Sequence, residues 1–221
     1  MSRILYSGNR NASSWAFRAW LALKEQSIEF TEKIIDIRRP QRWKNLESIG
    51  EFSAPAAVPV LNDNGFIVSD SLAIMEYANE LGDGSLLPIN IQARARARSL
   101  AAWQHSTFGR LCSCLSFESA FYPEKKTLSA DEVATIKRIY DIWEQSITEF
   151  GGDYLVGEYS LADIAFVPSV LRLTSHYQPD QRWPKTSDWV QLLLNRPYVK
   201  EWLNDANKLA PIYLPGYRND P

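Results

Sequence analysis

Three short stretches combine residue types that can do chemistry. The first, Asn9-Arg10-Asn11-Ala12-Ser13-Ser14, follows the apolar run Ile4-Leu5-Tyr6 and precedes Trp15, Ala16, Ala19, Trp20, Ala22 and Leu23 at helical spacing. A helix start leaves amides unpaired and carries partial positive charge. Hydroxylated residues there either cap the helix or leave its donors facing an anion. The second stretch is Val58-Pro59 at the head of an apolar run. Proline cannot donate to a sheet ladder, so it belongs at an edge or a bend. If its bond is cis, Val58 turns its backbone outward, where an extended, peptide-like ligand can pair with it; a trans edge proline is the plainer alternative. The third stretch, Ser69-Asp70-Ser71, precedes Leu72-Ala73-Ile74. It caps a helix, and Ser71 with its own amide could also hold a carboxylate.

These stretches must be positioned by alternating elements. Ile4-Leu5-Tyr6 predicts a strand, and a helix follows from the Asn11 to Ser14 cluster. Residues 30–37 alternate as a second strand, and Pro40 opens a polar helical segment through about Ile49. Val58-Pro59-Val60-Leu61 and Phe66-Ile67-Val68 flank Asn62-Asp63-Asn64-Gly65, a hairpin turn. A helix over residues 70–81 completes an α/β domain, residues 1–81. Residues 82–90, GDGSLLPIN, read as a linker. Beyond it, over residues 91–221, the helical period dominates, with helices predicted at 91–119, 130–150, 160–176, 187–195 and 198–209.

Composition narrows the function classes. The chain has 221 residues, 45% of them hydrophobic, and a net charge of −2. Disorder is excluded, and no basic surplus supports nucleic-acid binding. Cys112 and Cys114 are the two cysteines. They form neither a disulfide framework nor a zinc pattern, so no metal is expected. No run of 18 apolar residues predicts a membrane span. Scarce cysteine without an export signal points to the cytoplasm.

Taken together, ILYSGNRNASSWAFRAWLAL, AAVPVL, SDSLAIMEYANE and LLP resemble the cytosolic glutathione transferase superfamily, in its zeta-like bacterial form. Gly157-Glu158-Tyr159-Ser160-Leu161-Ala162-Asp163-Ile164 resembles that family's second-domain capping element. The resemblance implies a thioredoxin-like domain followed by an all-helical bundle, with glutathione as co-substrate. Val58, beside a cis Pro59, would pair with the cysteinyl unit, and Asp70 and Ser71 would hold the γ-glutamyl end. Arg39, Arg42 or Lys44 would meet the glycine carboxylate. Zeta-like proteins carry serine where this chain has Asn11, and cysteine where it has Ser13. Ser13 is therefore expected to hold the sulfur, with Asn11 and Ser14 as neighbours sharing the task. No cysteine precedes Cys112, which argues against the members that use their own thiolate.

A small hydrophobic electrophile would sit between the domains, against Trp103, His105, Phe108 and Arg110, with Phe121 and Tyr122 behind. Core packing is the alternative for Phe108, and a satisfied buried imidazole for His105. The implied activity is attack by the glutathione thiolate on the electrophile. Isomerisation of the maleylacetoacetate type, or a non-catalytic scaffold, are the alternatives. A homodimer would join the third-helix region to the partner's 91–119 helix.

Overall fold

The computed structural model describes residues 2–108 and 115–217. The first half is built from β1 (Arg3–Gly8), α1 (Ser14–Glu25), β2 (Thr31–Ile35), α2 (Arg42–Gly50), β3 (Val60–Asp63), β4 (Phe66–Ser69) and α3 (Ser71–Leu81). The sheet order is β2-β1-β3-β4. β1 and β2 run parallel, joined through α1, whereas β3 runs antiparallel to both β1 and β4. This is the thioredoxin-like arrangement. The hairpin turns where predicted: Asn62 accepts from the Gly65 amide at 2.7 Å, and Gly65 takes a φ of +96°, which suits glycine.

The second half is helical: α4 (Ile91–Ser106), a 3-10 turn (Glu118–Phe121), α5 (Ala130–Phe150), α6 (Leu161–Thr174), α7 (Pro184–Asn195) and α8 (Pro197–Ala206). The predicted helix over 91–119 is corrected here. It closes at Ser106, Leu115 to Phe117 are not helical, and the two cysteines and Arg110 lie outside the described residues. α7 and α8 begin earlier than their apolar period because Pro184 and Pro197 occupy first-turn positions, where a missing amide costs nothing.

One apolar core runs through both halves. Its centre is α6, buried on nearly every side. A helix that is apolar all round has to be enclosed, and α1, α4 and α7 enclose it. Its start is fixed by the expected capping box. The Asp163 carboxylate accepts from the Ser160 amide (2.8 Å) and hydroxyl (2.9 Å), from the Leu155 amide (3.1 Å) and from Trp189 Nε1 (2.8 Å). Residues 82–90 are tied to both halves: Gln26 bonds Ser85 and the Asp83 amide, and the Leu86 carbonyl accepts from Leu161.

Candidate active site

Strand register puts the three chemistry-bearing stretches at one end of the sheet. Tyr6, near the end of β1, faces Val60 at the start of β3, and Val60 in turn faces Ser69 at the end of β4. The Asn9 to Ser13 turn, Val58-Pro59 and Asp70-Ser71 therefore leave the sheet side by side. Gly8 makes this convergence possible. A Cβ at Gly8 would fall 2.7 Å from the Cβ of Ser13, so any larger residue would displace that serine.

Two adjoining cavities open there. The first, about 360 Å³, is lined by Val58, Pro59, Ser69, Asp70 and Ser71, with Trp15, Arg42 and His105 around them. The Val58-Pro59 bond is cis, and Val58 lies ahead of β3, outside the ladder. Asp70 caps α3, accepting from the Leu72 amide at 2.8 Å from a backbone φ of +77°. A non-glycine residue holds such a conformation only where its surroundings enforce it. His105 Nε2 lies 3.3 Å from the other Asp70 oxygen, and its ring stands edge-on to Trp15. The Ser71 residue is 2% exposed, and its hydroxyl has no partner among the described residues. A buried hydroxyl left unpaired at a helix start is a group waiting for an acceptor.

The second cavity, about 290 Å³, shares Trp15, Arg42, Ala57 and Val58 with the first. Ser13, Ser14, Ser116, Phe117, Glu118 and Arg172 line it further, and the tail closes it with Leu214 and Tyr217. Ser13 caps α1: its oxygen accepts from the Ala16 amide at 3.3 Å, which leaves its proton available to donate. Ser14 follows at the first helical position. Burial is the largest influence on Glu118 and raises its carboxyl above the usual range, against the opposing pull of Arg172 and Arg42.

Sequence profiles of the glutathione S-transferase N-terminal and C-terminal domains match residues 12–81 and 115–206. A maleylacetoacetate isomerase of Mus musculus is 32% identical over 169 residues, which span 76% of this chain and 76% of that protein. The chain belongs to the glutathione S-transferase family. Protein IN2-1 homolog A of Oryza sativa subsp. japonica is 27% identical over 212 residues, covering 90% of this chain and 78% of that one. Among solved structures, an epsilon-class glutathione S-transferase from Musca domestica shares the fold with a TM-score of 0.76 at 23% identity, over 94% of both chains. A Burkholderia glutathione transferase homologue with bound glutathione does so at 0.70 and 23%, over 95% of this chain and 100% of that one.

Within this transferase fold, the structure separates the expected site residues. Val58, Pro59, Asp70 and Ser71 share the first cavity, while Ser13 and Ser14 share the second. Of the three candidate cations, Arg42 lines both cavities; Arg39 and Lys44 line neither. Asn11 is a correction. It is 1% exposed, lines neither cavity, and donates from Nδ2 to the Ala210 carbonyl at 2.9 Å. Its amide nitrogen bonds the tail, outside both cavities.

The second-substrate wall is corrected as well. Phe108 is 1% exposed and packs edge-on against Trp103 and Phe166, so it belongs to the core. Phe121 packs on Phe117, and Tyr122 gives its hydroxyl to the tail, donating to Ile212 and accepting from Leu214, both at 2.8 Å. His105 does line a cavity, but the one holding Asp70 and Ser71. The residues that sequence reasoning missed are Ser116, Phe117, Glu118, Arg172 and the tail. They sit at the 3-10 turn, on a helix buried all round or in the Pro-rich tail, where periodicity marks nothing.

Proposed function

We propose that this transferase binds glutathione in the first cavity, with its sulfur directed into the second, and activates the thiol as thiolate toward a small electrophile. The unpaired, buried Ser71 hydroxyl at the start of α3 carries this reading. A carboxylate placed there would gain a hydroxyl donor, helix amides and the favourable end of the helix dipole. Asp70 meets the neighbouring ammonium, Val58 offers main-chain groups to the cysteinyl unit, and Arg42 faces the glycine carboxylate. That order runs the tripeptide along the shared wall of Trp15, Ala57 and Val58.

The sulfur then lies by Ser13 and Ser14. A free thiol with a pKa of about 8.5 is roughly 3% ionised at pH 7. Lowering that value by about two units requires about 2.7 kcal/mol of preference for the anion. A hydroxyl donating to a charged acceptor supplies about 1.5–3 kcal/mol. The start of α1 adds about 0.3–1 kcal/mol. These donors suffice without a general base. The likeness to maleylacetoacetate isomerases supports a second reading, glutathione-dependent isomerisation, which would use the same thiolate. A cytoplasmic homodimer completes the proposal; Phe66 on β4, exposed beside Tyr77, supports a partner against that face.

Thermal melting with glutathione, paired with an aryl-halide conjugation assay, tests the reading. Glutathione should raise the melting temperature of the native protein, and Ser71→Ala should weaken binding about tenfold or more. No shift in the native protein, or an undiminished shift in Ser71→Ala, would overturn the assignment.

A further inference from the structure

The second cavity is not the purely apolar pocket expected of a site for hydrophobic electrophiles. Beside Phe117, Leu214 and Ile37, and apart from Arg42 on the wall shared with the first cavity, it presents two opposite charges, Arg172 from α6 and Glu118 from the 3-10 turn. The two are close enough to influence each other electrostatically, yet neither forms an ion pair among the described residues. Arg172 is the less satisfied of the two. Its Nε is buried without a partner, and the guanidinium's one hydrogen bond among the described residues is a long one, 3.5 Å from Nη1 to the Leu115 carbonyl. A guanidinium offers five donors in a planar fork that fits a carboxylate edge to edge. A donor of that fork left buried and unpaired, as Nε is here, is costly unless something else uses it.

Glutathione does not account for Arg172. In the proposed pose its charged ends belong to Asp70, Ser71 and Arg42, and Arg172 lines only the second cavity. We infer that the second substrate carries one carboxylate, held by Arg172, on an otherwise apolar electrophilic body packed against Phe117 and Leu214. Glu118 tempers that site. When ionised it opposes any anion near Arg172, so the cavity takes a monoacid and disfavours a second negative group. The inference rests on the transferase reading above and adds to it the class of electrophile.

Matched electrophiles test it: 4-chloro-3,5-dinitrobenzoate and its methyl ester, both open to displacement of chloride by the glutathione thiolate. The native protein should favour the acid in kcat/KM by at least about tenfold after correction for uncatalysed rates. Arg172→Met should collapse that preference to near unity, and Arg172→Lys should keep part of it. Glu118→Gln should move it the opposite way and strengthen the choice of the acid. Opposite shifts from two neighbouring variants are not the mark of general loosening, and a retained glutathione melting shift reports that each variant is folded. Benzoate should compete with the ester in the native protein, and benzamide should not. Equal or better turnover of the ester by the native protein, or an acid preference that survives Arg172→Met, would overturn the inference while leaving glutathione binding intact. Absence of conjugation with both compounds together with absence of a glutathione melting shift would instead defeat the transferase reading.

Discussion

Asn11 shows how a single position can be misread by counting. It occupies the place where zeta-like relatives carry a serine, and its amide could donate to sulfur as a hydroxyl does. In the folded chain that amide is spent on the Ala210 carbonyl, 199 positions away in sequence. No local pattern encodes such a contact. Ser13 and Ser14 were legible because a cap is a local device: hydroxyl, helix start and apolar period lie within a few residues. The two serines should nonetheless separate in experiment. Ser13→Ala removes the cap of α1 and should lower stability by about 1 kcal/mol. Ser14→Ala should leave the melting temperature nearly unchanged. Each should lower kcat/KM for conjugation by about tenfold, and the double variant by about a hundredfold or more, through loss of donors to the thiolate. Full activity in both single variants would remove the hydroxyl mechanism.

At the scale of elements, the sequence was most informative where propensity, capping and packing agree. The start of α6 is the clearest case, with serine and aspartate three residues apart ahead of an apolar run. What the pattern does not reveal is the depth of that aspartate. Asp163 is fully buried, and burial raises its carboxyl to about 6, against the lowering pull of the Leu155 amide, Trp189 and Ser160. The folded value therefore lies above the unfolded one, and the folded state binds the proton more tightly. From about pH 4 to about pH 6 this group makes stability fall as pH rises. Asp163→Asn should abolish that share of the slope. It should also cost about 2 kcal/mol at neutral pH, because its NH₂ would face the Ser160 amide. Chemical denaturation of both proteins across this range checks the outcome; parallel stability curves would contradict it. The break after α4 was illegible for the opposite reason. Aromatic and small residues continue past Ser106 at helical spacing, yet Ser116, Phe117 and Glu118 line a cavity wall.

At the scale of the molecule, the two halves are fastened by charge and aromatic contact. The Arg10 guanidinium lies over the rings of both Trp20 and Trp202, and Trp202 Nε1 donates to the Arg10 carbonyl at 2.9 Å. Arg196 holds Glu25 through two hydrogen bonds, at 2.9 and 2.7 Å, and stacks on Tyr159. The order of domains and the content of the first could be read in advance because each element there follows its neighbour in sequence. The tail could not be placed, since Pro-rich text carries no period. Asn11, Tyr122 and the Tyr122–Tyr213 ring contact fix it over the second cavity. Truncation after residue 209 should raise the KM for an aryl electrophile about tenfold by removing the Leu214 wall, while glutathione still shifts the melting temperature. An unchanged KM would mean that the tail takes no part in binding.

Thiol ionisation in the complex is the most direct reading of the site. Ultraviolet absorbance of the thiolate, followed from acid to alkaline pH with glutathione bound, gives its pKa in place. A value near 6.5, about two units below that of free thiol, is the expected result. A bound thiol that still titrates near 8.5 would show that the Ser13 and Ser14 corner does not stabilise the anion.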